Sequence, residues 1–167
     1  AGQFRKISYI IKQNPNRRYI VPSAPGKRNP DDVKVTDLLY ACYDKAKHGE
    51  PYEEYLNQIR QRYQEIIEEL GLHLSLKDEL KVLENSFVRG IGSEYAASRG
   101  EYLNGILLAA YLDYEFVDAA SVIRFDKNKN LDAEKTDKLL GKRLAKCERA
   151  VIPGFYGADE NGRIHTF

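Results

Sequence analysis

ASRGEYLNGILLAAYLDYEFVDAA, residues 97–120, is the stretch on which the fold turns. Its first part carries a helical pattern, with Leu103, Leu107 and Ala110 at core-facing spacing. The pattern then changes at Asp113. Residues 114–125, YEFVDAASVIRF, are rich in aromatic and β-branched side chains and read as two short strands, or as one strand and an extended arm. A buried helix that feeds directly into a strand is the unit of an α/β fold. One feature breaks the helical pattern: Glu101 stands beside Gly100 and four residues before Gly105. A glycine inside a helix costs about 1 kcal/mol relative to alanine. Two such costs around one acid imply a close approach of backbone or ligand. A surface acid paired with Arg99 or solvent explains the carboxylate equally well.

Working outward, the same alternation recurs. Residues 3–13 form a first helix on Phe4, Ile7, Ile10 and Ile11, ending at Asn14-Pro15. Tyr19, Ile20 and Val21 form a short strand, and the Pro- and Gly-rich loop 22–32 follows. VKVTDLLYACYDKAKHG is a helix stopped at Gly49. Residues 52–70 place Tyr52, Tyr55, Leu56, Ile59, Tyr63, Ile66, Ile67 and Leu70 on one stripe, the signature of a core-facing helix. Ser75 caps a further helix with Leu76, Leu80 and Leu83 inward, and Ser93 caps the helix that runs to about Leu112. AEKTDKLLGKRLAKC is amphipathic, RAVIPGFYG is a buried strand ending in a glycine turn, and GRIHTF pairs back on it as a hairpin. Helices alternating with strands predict an α/β sandwich with a mainly parallel sheet. Ligands of such sheets bind beyond the carboxyl ends of the strands. The loops expected at the site are therefore SAPGKR, the segment after FVDAA, and GFYG.

Composition narrows the function. Hydrophobic residues make up 43% and charged residues 31%, and the formal net charge is +1. That balance singles out neither a nucleic acid nor an acidic polymer as partner. The longest apolar run, ILLAAYL, is too short to span a bilayer, so no membrane partner is expected. Cys42 and Cys147 belong to no paired motif and both fall on expected helices; buried, reduced thiols and a cytoplasmic location follow. SAPGKR offers a glycine and two cations, but GxxxxGK[ST] is absent. Asp126, Asn128, Asn130 and Asp132 alternate like the start of a calcium loop, but Leu131 stands where that loop needs glycine and Asp137 where it needs glutamate. A turn and a helix cap at Asp132 account for them. His48, His73 and His165 lack metal spacing, and no metal site is expected.

Three segments then carry a resemblance. VPSAPGKRNPDDVKVTDLL, ASRGEYLNGILLAAYLDYEFVDAA and RAVIPGFYGADENGRIHTF resemble aspartate kinases of the amino-acid kinase superfamily, in order and across essentially the whole chain. The resemblance implies a three-layer α/β/α sandwich. It implies phosphoryl transfer from MgATP to the side-chain carboxylate of L-aspartate, at the entry to lysine, threonine and methionine synthesis. Ser23 matches the family serine near aspartate and the transferring phosphate, and Thr36 a substrate-contacting threonine. Glu101 matches the glutamate that binds aspartate, by its α-ammonium. Gly154 and Phe155 match the turn lining the same pocket. ATP and Mg2+ are the implied cofactors, and homo-oligomers the implied assembly.

The family's lysine-bearing KFGG[ST]S loop and its RGGSD motif are not in these residues. The chain has no methionine, begins on a helical pattern and ends as a strand begins. The expectation is thus residues 1–167 as a partial amino-acid kinase domain, incomplete at both ends, without the nucleotide-binding half or the regulatory domains. Such a piece holds no complete catalytic set, binds no cofactor tightly and has no kinase activity alone. The competing expectations are another acyl-phosphate-forming amino-acid kinase, or a non-catalytic fragment that binds an amino acid or packs against a subunit.

Overall fold

A computed structural model describes residues 1–167. Its elements, in order, are α1 Gly2–Lys12, β1 Tyr19–Ile20, α2 Val35–Lys47, α3 Glu53–Leu70, α4 Lys77–Val88, α5 Ser93–Leu112, β2 Glu115–Phe116, α6 Ala119–Val122, α7 Ala133–Leu144, β3 Ala150–Val151, β4 Tyr156–Ala158 and β5 Ile164–Thr166. No helix is long and apolar enough to cross a membrane.

The three strands β1, β3 and β2 lie side by side in that order, both pairs parallel. Their register is aligned: Ile20 and Phe116 both oppose Val151. All three carboxyl ends therefore open at one level. The pleat sends alternate residues of the central strand to opposite faces. Val151 joins the larger core with α1 to α5, whereas Ala150 and Ile152 join a smaller one with Val117, Val122, Cys147 and Tyr156. Leu140 and Leu144 of α7 pack on that second core. Helices thus cover both faces, which is the three-layer α/β/α arrangement. The hairpin of β4 and β5 is antiparallel; GRIHTF pairs on Tyr156–Ala158 and not on β3, because RAVIPGFYG is broken after Val151 into two strands rather than running as one.

Local chemistry explains the boundaries. The stripe of α3 is buried as expected, from Leu56 through Ile67. Gly71 ends it in a left-handed conformation, φ 64°, with the Gly71 and Leu72 amides donating to the carbonyls of Glu68 and Ile67. The Asp132 carboxylate accepts from the Lys135 amide and caps α7. Asp126 accepts from the amides of Asn128 and Asn130, both at 2.8 Å, so its carboxylate is used inside the turn. His165 is buried at the hairpin, with Nδ1 3.3 Å from Glu94 of α5 and Nε2 3.1 Å from Asp159. That bridge ties β5 to the start of α5.

Several expectations are corrected. Ala110 is exposed although α5 buries most of its circumference, so the burial of this helix does not follow one apolar stripe. Residues 119–122 are a helical turn, not strand or arm; Asp118 accepts from the Ala120 amide and starts it. Gly92 is the cap of α5, with Ser93 already inside, and Leu76 that of α4. Cys147 lies beyond α7, though buried like Cys42.

Candidate functional site

The site forms where α5 meets the loops after β1 and β3. Glu101 is 6% exposed, which rules out the surface-acid reading. Its Oε1 accepts from the Ala24 amide at 3.2 Å, while its Oε2 is buried with no hydrogen-bond partner. Burial pushes the Glu101 carboxyl above its usual range, against the lowering pull of the Ala24 amide and the nearby Ser23 hydroxyl. Arg99 does not pair with it. That guanidinium sits on the other flank of α5, 4.5, 4.4 and 5.1 Å from the ring centres of Tyr95, Tyr102 and Tyr156, and donates to the Ser98 hydroxyl.

The glycines of α5 are contact points, as their cost implies. A Cβ on Gly100 would lie 2.9 Å from the Ala24 Cβ and 3.7 Å from the Thr36 hydroxyl oxygen. One on Gly105 would lie 2.7 Å from the Pro153 ring and 3.0 Å from Phe116. The helix is thereby seated against both loops at once. Gly100→Ala is expected to keep the fold, since alanine favours the helix by about 1 kcal/mol. It is also expected to push the Ser23–Ala24 segment off Glu101, read as faster hydrogen exchange at the Ala24 amide.

Each residue anticipated at the site can be placed. Ser23 is exposed at the loop's start, and its carbonyl accepts from the Asn104 side chain at 2.6 Å. Thr36, half-buried in the first turn of α2, meets α5 at Gly100, one residue from Glu101. Gly154 packs on the β1 loop: its amide donates to the Pro22 carbonyl at 3.3 Å. Phe155 takes φ 75°, a left-handed conformation rare for a residue with Cβ, and its carbonyl accepts from the Phe167 amide at 2.9 Å. Ser23, Thr36 and Glu101 thus gather at one end of the sheet, with Gly154 against the same loop.

Two neighbours of these residues escaped the sequence reading. Asn104 is one turn beyond Glu101, so its i+3 spacing was the available signal. Arg62, on α3, is 3% exposed and has no signal in its own stripe. Its guanidinium donates to Asp32 at 2.6 Å, to the Gly26 carbonyl at 3.1 Å and to that of Val33 at 3.2 Å. Arg28 adds further bonds to Asp32 and one to Glu65 at 2.6 Å. First Arg28 and then Arg62 hold the Asp32 carboxyl far below its usual range. A cleft of about 550 Å³ opens beside this loop, with Lys27, Arg28, Arg62 and Glu65 in its wall. Arg62→Met is expected to free residues 26–33, read as faster cleavage there by a protease at limiting concentration.

The aligned strand ends, the three-layer sheet and the buried acid of α5 thus meet at one end of the fold. No family model matches the chain. Over its whole length it is 29% identical to Aspartokinase 3 of Bacillus subtilis and spans 40% of that protein. The aspartate kinase of Clostridium acetobutylicum superposes on 99% of the chain with a TM-score of 0.95 and 47% identity, this chain covering 38% of that one. E. coli aspartokinase III in complex with aspartate and ADP shares the fold, with a TM-score of 0.76 at 23% identity over 98% of this chain and 39% of that one. The likeness is to the aspartate kinases, in sequence and in fold, and the chain spans about two fifths of their length.

Proposed function

We propose that this chain forms the amino-acid-binding lobe of an aspartate kinase, which transfers a phosphoryl group from MgATP to the side-chain carboxylate of L-aspartate, giving 4-phospho-L-aspartate and ADP. The observation that carries the reading is the buried, unpartnered Oε2 of Glu101 beside the Ser23 loop. A buried acceptor without a donor costs about 1–3 kcal/mol, more when charged. The α-ammonium of an amino acid supplies both the donor and the opposite charge. Ser23 and Thr36 carry hydroxyls that can donate to the carboxylates of the same ligand. These residues bind and orient the amino acid.

MgATP is not assigned to residues of this chain. In the loop that follows Ser23 and on the helix beneath it, Arg28 and Arg62 pair with Asp32, Arg28 also with Glu65, and Lys27 donates to the Pro30 carbonyl. Phosphoryl transfer needs cationic groups around the moving phosphate, and Arg28 and Arg62 are already paired with carboxylates. The identity with the Bacillus and Clostridium enzymes supports the aspartate kinase reading. With that reading go ATP and Mg2+ as cofactors of the whole enzyme, a cytoplasmic homo-oligomer, and a product entering lysine, threonine and methionine synthesis. Titration calorimetry with L-aspartate and with MgATP tests it. Aspartate binding without nucleotide binding is expected of the 167 residues; binding of neither overturns the proposal.

A further inference from the structure

We infer that Asn104 is a second acceptor for the substrate α-ammonium and, with Glu101, determines that the site takes an amino acid rather than a plain dicarboxylate. The inference rests on the aspartate-binding reading and names a residue within it. Asn104 is 8% exposed. Its Nδ2 donates to the Ser23 carbonyl at 2.6 Å, and a carbonyl only accepts, so the orientation of the amide is fixed. The remaining amide atom, Oδ1, is buried without a donor.

The Ser23 carbonyl and the Ala24 amide belong to one peptide group. Asn104 holds its oxygen and Glu101 holds its N–H. Each side chain therefore spends one atom on the same peptide and keeps one acceptor in reserve. Neighbours three apart on a helix share a face, which places both reserves at the same loop. Glu101 Oε2 and Asn104 Oδ1 are two buried acceptors, one on a carboxylate and one on a neutral amide, and neither has a hydrogen-bond partner. A group that satisfies both carries several N–H donors and a positive charge, as an ammonium does. Both atoms are buried beside the loop that carries Ser23.

The test compares L-aspartate with succinate, which has the same two carboxylates and no ammonium. Calorimetry is run on the full-length protein with the native residue, Asn104→Leu and Asn104→Asp, with thermal melts to show folding. The native protein is expected to prefer aspartate. Asn104→Leu is expected to lose aspartate affinity by about 10- to 100-fold, the worth of a charge-assisted hydrogen bond. Succinate loses the clamp on Ser23 but no ammonium contact, so its affinity should fall by a clearly smaller factor than that of aspartate. Asn104→Asp keeps an acceptor but loses the donor to the Ser23 carbonyl, so both ligands should weaken while the preference for aspartate is kept, and it carries the test if the leucine variant does not fold. Equal weakening of both ligands, or an unchanged aspartate affinity in the leucine variant, overturns the inference and leaves the aspartate reading standing. So does loss of the preference in Asn104→Asp. A native protein that binds no aspartate overturns both.

Discussion

Glu101→Gln is expected to raise the KM for aspartate by about 10- to 100-fold in the full-length enzyme and to leave the KM for ATP unchanged. The glutamine keeps an oxygen for the Ala24 amide, so the loop stays in place; the lost part is the negative charge facing the ligand's ammonium. A charge-assisted hydrogen bond contributes roughly 1.5–3 kcal/mol, which gives that range. Equal effects on both substrates would assign Glu101 a structural role. The same variant has a second signature. Burial raises the Glu101 carboxyl above its ordinary value of 4.5. The folded state then holds a proton that the unfolded state has released, so stability falls as pH rises from about 4.5 through the folded value. Glutamine has no such dependence. The variant is expected to gain stability over the native protein as pH climbs through that window, measured by chemical denaturation at pH 4 and pH 7. An amino-acid site that costs stability when empty is the expected trade between binding and folding.

The second large effect is on the fold itself. A Cβ on Gly157 would lie 2.7 Å from the Ile123 backbone oxygen and 2.7 Å from its Cγ2. That oxygen accepts from the Ala158 amide at 3.0 Å, so it cannot withdraw without breaking the bond. Gly157→Ala is expected to destabilise by about 3 kcal/mol, the upper part of the usual overpacking range, and to lower Tm by roughly 6–12 °C. An unchanged melt would show that the β4 hairpin yields easily. Because Tyr156 donates to Asp118 at 2.7 Å and Phe155 precedes it, the Phe155 turn should loosen with the hairpin. Hydrogen exchange at the Phe167 amide, bonded to the Phe155 carbonyl, would report it.

Much of this was legible in the sequence, for identifiable reasons. Strong periodicity exposed α3, and breakers at Asn14-Pro15, Gly49 and Gly71 set helix ends within a residue or two. Two glycines around Glu101 announced close contacts at that point of α5, and the structure puts Ala24 and Pro153 there. What failed was local. Ala110 obeyed helical spacing yet is exposed, because a helix packed against loops on several sides has no single apolar stripe to read. The turn at 119–122 was hidden because its β-branched neighbours, Val117 and Ile123, outweigh two alanines and a capping aspartate. Arg62 was illegible on principle. Its partners, Gly26, Asp32 and Val33, lie about thirty residues upstream, and no window of sequence brings them together.

The opposed charges of α5 have a consequence for how that helix is set. Being apolar over most of its surface, it has little in its hydrophobicity to fix its rotation about its own axis. Glu101 and Arg99 do so instead, since two residues apart on a helix means about 200° around it. Rolled by half a turn, the guanidinium would face the Ala24 N–H and the carboxylate would face the electron-rich ring of Tyr156, the one aromatic partner of Arg99 that lies outside α5. Both contacts are repulsive. The helix is keyed like an asymmetric plug, and the one orientation it accepts is the one that presents the acid to the loop.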